Sequence, residues 1–187
     1  MATRSVELED IYKFELASNV RISPDGSKTV YCLKRVDQQK NKYFTRLWLA
    51  DNLGLNSVPF TSDGHSDTNP RWSPSGDIVA FVSNRNKPGD QIFVINANGG
   101  EASQLTSLAE GSIDTIEWSP DGSHIAFLFR RTPVHYSEEG VKSRKEAGAS
   151  FPVRRHSKLF YRLDGFGYFD GEFSQLWIVN AVTGEAN

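Results

Sequence analysis

The segment Trp118-Ser119-Pro120-Asp121-Gly122-Ser123-His124-Ile125-Ala126-Phe127 constrains the fold most, because variants of it stand at two earlier places. They are Trp72-Ser73-Pro74-Ser75-Gly76-Asp77-Ile78-Val79-Ala80-Phe81 and Ile22-Ser23-Pro24-Asp25-Gly26-Ser27-Lys28-Thr29-Val30-Tyr31. Each copy reads as a hairpin turn. An apolar residue closes one strand, Pro presets the backbone, Asp or Ser can bond nearby amides, and Gly accepts a positive φ. The apolar residues that follow open the next strand. Ser23 to Ser73 is 50 residues and Ser73 to Ser119 is 46, a period that suits the four-stranded blade of a propeller.

Other parts of the unit recur in register. After each turn and its strand comes an aromatic-centred strand: Arg46-Leu47-Trp48-Leu49-Ala50-Asp51, then Gln91-Ile92-Phe93-Val94-Ile95-Asn96, then Gln175-Leu176-Trp177-Ile178-Val179-Asn180. A fourth strand follows in the first two units, at Val58-Pro59-Phe60-Thr61 and Ser103-Gln104-Leu105-Thr106. From Val20 onward the apolar pattern has period two, with Gly, Pro, Asn, Asp and Ser at the strand ends. Ahead of it, Leu8, Ile11 and Tyr12 suggest a short helix or turn that docks on something. The expected fold is all-β, a β-propeller of about three to four four-stranded blades preceded by that short N-terminal helix or turn. The division is a docking segment over 1–19 and a partial propeller over 20–187, with blade units 20–65, 66–110 and 111–187 and an insertion at 131–172.

That insertion is where the repeat breaks. Residues 130–162 hold nine basic and three acidic residues, a net +6, whereas the rest of the chain nets −8. A basic, proline-containing loop on an acidic body is either a solvated excursion or a binding element. Within it, Lys158-Leu159-Phe160-Tyr161-Arg162-Leu163-Asp164-Gly165-Phe166-Gly167-Tyr168-Phe169-Asp170-Gly171 reads as an ordered strand and turn. Val134 to Phe151 reads as its mobile, polar approach, with no sustained periodicity.

A formal charge of −2 argues against general binding to nucleic acid. The lone Cys32 can form no internal disulfide and fits a reducing compartment as a buried, inert thiol. There is no signal-like N-terminus and no run of about 18 apolar residues, so a cytoplasmic chain without a membrane partner is expected. The sequence has no Gly-x-Ser-x-Gly, P-loop, dinucleotide fingerprint or His-Glu-x-x-His, so no catalytic residue, metal or cofactor is expected in it. Asp25, Asp63, Asp77 and Asp121 sit in or beside turns, where Asp bonds local amides. Trp48, Trp72, Trp118 and Trp177 read as packing between blades. Of the histidines His65, His124, His135 and His156, the last two could face a ligand from the insertion.

The Ser-Pro-Asp-Gly turns, the Gln-Ile-Phe-Val-Ile-Asn and Gln-Leu-Trp-Ile-Val-Asn strands, Gln104-Leu105-Thr106 and Ser83-Asn84-Arg85 resemble TolB-type propeller repeats. More narrowly, Glu9-Asp10-Ile11-Tyr12-Lys13-Phe14 leading to Arg21-Ile22-Ser23-Pro24-Asp25-Gly26 resembles the N-terminus of prolyl oligopeptidase family serine peptidases. So does Leu159-Phe160-Tyr161-Arg162-Leu163-Asp164-Gly165-Phe166-Gly167-Tyr168. The nearest branch is that of acylaminoacyl-peptidases and dipeptidyl-aminopeptidases.

The resemblance implies a propeller of about seven blades that covers a C-terminal α/β hydrolase domain bearing Ser, Asp and His and restricts peptide access to it. No position of this sequence matches those catalytic residues. The chain would then be a non-catalytic, gating and scaffolding part of such an enzyme, marginal in isolation, with the hydrolase domain and a peptide as partners and a homo-oligomer left open. Arg154, Arg155, Arg162 and Tyr168 are the candidates for contacting a peptide carboxylate or side chain, against the reading that they serve surface or interblade pairing. The alternative function is a TolB-like protein-binding module with no enzymatic parent.

Overall fold

The computed structural model describes residues 4–53, 56–154, 156, 159–164, 167–168 and 173–187. A 3-10 helix, Leu8–Lys13, leads into three antiparallel sheets. The first is β1 (Leu16–Ile22), β2 (Lys28–Asp37), β3 (Lys42–Asp51) and β4 (Ser57–Pro59). The second is β5 (Asp67–Trp72), β6 (Ile78–Ser83), β7 (Gln91–Asn96) and β8 (Ser103–Gln104). The third holds β9 (Gly111–Trp118), β10 (His124–Arg131) and, beyond the insertion, β13 (Gln175–Asn180). The beginning of a fourth strand lies against β13, where Ile178 and Asn187 exchange backbone hydrogen bonds of 2.9 and 3.0 Å. The first two are four-stranded propeller blades in meander order, the third has three strands of the same order and the start of its fourth, and the described sheets form no closed ring.

The repeated turns join the first two strands of each blade in one geometry. In the first, the Gly26 amide donates to the Ser23 carbonyl at 2.9 Å and the Ser23 amide to the Lys28 carbonyl at 2.8 Å. Gly122 makes the same turn at φ 71°, which a side chain would strain. The carboxylate of Asp121 accepts from the Ser119 hydroxyl at 2.6 Å and the Ser123 amide at 3.0 Å. Asp25 does the same with Ser23 and Ser27. Asp63 has a different role, pairing with Arg46 at 2.9 Å.

Period two puts alternate residues of each strand on opposite sides. From Val79 to Val82 both sides of β6 are covered, so this part of the strand is an unbroken apolar run. Val79 and Phe81, with Phe93 and Ile95, meet Val30, Cys32 and Leu47 of the first blade. Ala80, Val82 and Ile92 meet Ile113, Ile116, Ile125, Phe127, Phe129 and Val179 of the third. Phe81 and Phe93 stack at 6.0 Å, and Trp177 closes on Phe129 at 5.6 Å. Burial pushes the Cys32 thiol up to about 11, as fits an inert packing residue.

Blade succeeds blade through one repeated contact. The Trp72 indole donates to the Arg21 carbonyl at 3.0 Å, and the Trp118 indole to the Arg71 carbonyl at 3.1 Å. Arg71 in turn pairs with Glu117 at 2.7 Å. Asn19 and Asn69 carry positive φ of 51° and 52°, and each marks a shift of register in its first strand pair. Asn adopts this conformation at low cost.

One expectation is corrected in the insertion. Instead of an irregular approach, the chain after Arg131 forms a 3-10 turn, Val134–Tyr136, and the α-helix α1, Glu138–Glu146. Ser137 caps it by accepting from the Gly140 amide at 3.1 Å. Acidic Glu138 and Glu139 lie in the first turn and basic Arg144 and Lys145 in the last, matching the helix dipole. No residue of α1 is buried, so it has no apolar stripe for periodicity to reveal.

Candidate functional site

The insertion leaves the third blade at the Arg131 end of β10 and returns at Gln175. The Ser-Pro turns lie at the opposite, His124 end of the same strand. Each blade stack therefore has a turn end and an insertion end. At the turn end, Arg21, Ile22, Arg71, Trp72, Glu117 and Trp118 line an open groove of about 480 Å³. In its lining Glu117 pairs with Arg71, while Arg21 donates to the Val20 carbonyl at 3.2 Å.

At the insertion end, α1 is tied to the second and third blades. Lys87 pairs with Glu138, and the Glu138 amide donates to the Glu110 carboxylate at 3.0 Å. Arg144 donates to the His135 carbonyl. The returning segment is held by the Ser174 hydroxyl, which bonds Asp114 at 3.0 Å. Between these anchors lies a hairpin, β11 (Arg162–Leu163) paired with β12 (Gly167–Tyr168), with Arg162 opposite Tyr168.

Three of the four candidate residues come together here. The Arg154 guanidinium lies 4.1 Å from the centre of the Tyr168 ring and 4.5 Å from that of Tyr136. Arg162 lies 5.2 Å from the Tyr168 ring. Arg155 falls outside the described residues. His156 stacks on Tyr168 at 5.7 Å with an interplanar angle of 16°, and Tyr161 sits 4.7 Å from His156. Phe151 joins from the other side, 5.9 Å from Tyr136. His135 instead packs on Tyr136 at 4.2 Å. Tyr136 and Phe151 were not singled out in the sequence, because they lie far from Tyr168 along the chain and on no common period.

Among the described residues no group of three or more His, Cys, Asp or Glu side chains is placed to hold a metal ion. No described helix is long and apolar enough to cross a membrane. The arrangement is thus a propeller segment that carries a cation-and-aromatic cluster on one inserted element. The family described as the dipeptidyl peptidase IV (DPP IV) N-terminal region matches residues 23–135. The chain belongs to that family, and its blades are the N-terminal propeller part found in prolyl oligopeptidase family peptidases.

Among relatives, the uncharacterized peptidase YuxL of Bacillus subtilis is 29% identical over 180 residues, covering 96% of this chain and 27% of that protein. The acylaminoacyl peptidase of Pyrococcus horikoshii superposes with a TM-score of 0.68 at 20% identity, over 95% of this chain and 25% of that one. A putative TolB from Agrobacterium tumefaciens gives 0.59 at 17% identity, over 93% of this chain and 48% of that one. The two structural likenesses establish the shared fold. The chain spans about a quarter of the length of these two peptidases.

Proposed function

We propose that this chain is the access-controlling propeller portion of a serine peptidase of the acylaminoacyl-peptidase or dipeptidyl-aminopeptidase kind. In this reading it scaffolds and gates peptide entry to an α/β hydrolase domain that carries the nucleophile. The supporting observation is the pairing of family membership over residues 23–135 with a sequence that lacks Gly-x-Ser-x-Gly. Acyl transfer by a serine needs a nucleophile, a base and an oxyanion hole in fixed geometry, and blades alone supply a wall. The insertion is the part of the wall that departs from the repeat, so Arg154, Arg155, Arg162 and Tyr168 are assigned to substrate contact.

Reading the gene on past Asn187 tests the assignment. A Gly-x-Ser-x-Gly pentapeptide in the same frame is expected. Propeller repeats followed by a stop would instead favour a TolB-like binding module. In the enzyme so defined, deleting residues 132–174 is expected to raise kcat/KM for long peptides relative to dipeptide substrates. An unchanged ratio would rule out gating by the insertion.

A further inference from the structure

The blade-to-blade contact is one interface used twice, and each of its two sides is left unused once. On the inserting side an aromatic pair stands across neighbouring strands, Phe81 opposite Phe93 in the second blade and Phe127 opposite Trp177 in the third. The former pair rests on Val30, Cys32 and Leu47 of the first blade, the latter on Ala80, Val82 and Ile92 of the second. The first blade carries the same pair, Tyr31 opposite Trp48, both half-buried, and among the described residues no blade receives it. The cation above the pair is repeated too. Arg35 lies 5.5 Å from the Trp48 ring, as Arg85 lies 4.9 Å from that of Phe93, so an arginine in that place does not keep a blade from packing.

The receiving side recurs in the same way. Val30 stands opposite Arg21, Ala80 opposite Arg71 and Ala126 opposite Glu117, which aligns Ala126, Leu128 and Leu176 of the third blade with the two receiving sets just named. Those sets are buried, whereas Ala126 and Leu128 are half-buried and Leu176 is exposed. The unused sides lie at opposite ends of the stack and are the two halves of one contact.

We propose that a second copy of this chain docks head to tail, with Tyr31 and Trp48 of one copy on Ala126, Leu128 and Leu176 of the other. Continuity with the two contacts inside the chain selects this occupant. A contact between unlike faces either closes into a ring or runs on. Two copies hold six blades, within the range of about four to eight that closed propellers use, so the pairing closes at the dimer. Two departures from the internal contacts keep it weak. The Tyr31 hydroxyl, at the place of a phenylalanine, is hydrogen-bonded with the Ser57 hydroxyl at 2.7 Å. Ile22 stands where Trp72 and Trp118 each give an indole N–H to a carbonyl of the blade before, so the Glu117 carbonyl of the other copy receives none. The pairing needs nothing from the peptidase reading. Blades added to the same polypeptide would compete for both faces, so the test uses residues 1–187.

Sedimentation equilibrium gives the dissociation constant, and the size is expected to rise from one copy and level off at two. Ile22→Trp supplies the missing indole and should tighten the dimer about tenfold. Ala50→Glu charges the first-blade face beside Trp48, and Ile178→Glu charges the third-blade face beside Leu176. Each variant alone should stay monomeric where the unaltered chain dimerises. An equimolar mixture of the two should pair again, because one sound face of each kind remains. Combined with Ile178→Glu, Ile22→Trp should have no effect. Unaltered amide exchange in β6 confirms that each variant is folded. Persistent self-association of either charged variant, or a mixture that stays monomeric, overturns the head-to-tail contact. Growth past the dimer overturns closure into a ring. A monomer at every concentration in both the unaltered chain and Ile22→Trp overturns the docking itself and leaves the peptidase reading standing.

Discussion

At the scale of single residues, the turn aspartates show how much local chemistry a sequence can disclose. Hydrogen bonds from the Ser23 hydroxyl, then from the amide and hydroxyl of Ser27, hold the Asp25 carboxyl down at about 2. Asp121 is held well below the ordinary carboxylate range by Ser119 and Ser123 in the same way. Because folding lowers these values, their contribution is complete above the unfolded value of 3.8 and is lost as pH falls, toward 2 for Asp25 and at still lower pH for Asp121. Asp121→Asn should therefore lower the unfolding midpoint at about pH 5 and have a smaller effect at about pH 2.5. An equal effect at both would show that the charge does not matter. The serines around each Asp made this role legible. Asp67 was not legible, because its partner lies beyond the next strand, in the loop after β6: its buried carboxylate meets Arg85 at 2.7 Å, and Arg85 lies over Phe93 at 4.9 Å. Arg85→Met should cost about 3–5 kcal/mol in denaturant unfolding, since it leaves a buried charge unpaired. A loss below about 1 kcal/mol would mean that water reaches the Asp67 carboxylate in the variant.

Between residue and molecule, strands and helix differ in what reveals them. β6 and β7 announce themselves because burial and period two coincide. α1 is anchored at its start by Ser137 and by the close approach of Gly140 to Val134, with no apolar face to register in the sequence. A Cβ on Gly140 would overlap the Val134 carbonyl oxygen. Gly140→Ala should therefore displace the 3-10 turn from the helix, although alanine is the better helix former. Ser137→Ala should remove the cap at a cost of about 1 kcal/mol, confined to this element. Hydrogen exchange provides the check: the amides of α1 should speed up in both variants while those of β10 stay unchanged. Slower exchange in Gly140→Ala would mean that propensity outweighs the contact. The cluster was only half legible for the same reason. Arg162 and Tyr168 lie across one hairpin, whereas Tyr136 reaches it only because α1 and the turn before it fold back.

For the whole molecule, what matters is that the middle blade is covered on both sides and the outer blades on one. Val79, Ala80 and Phe81 are each fully buried, while Leu16, Val20 and Ile22 on β1 are more than half exposed. At the other end Leu176 is 69% exposed and Ile178 44%. Protection from exchange should follow that order, with β6 and β7 slowest and β1 and β13 fastest, because local opening is easiest where apolar contacts are few. Exposed apolar strands also associate with one another. Sedimentation velocity should therefore show a weight-average size that rises with concentration, and Leu176→Lys with Ile178→Glu should reduce that rise. The substitutions leave the Phe81 and Phe127 clusters intact, so the unfolding midpoint should change little. A concentration-independent monomer with β1 as protected as β6 would mean that the outer faces are stable against water on their own. In that case the stack would be self-sufficient, and blade-on-blade burial would not be what limits its stability.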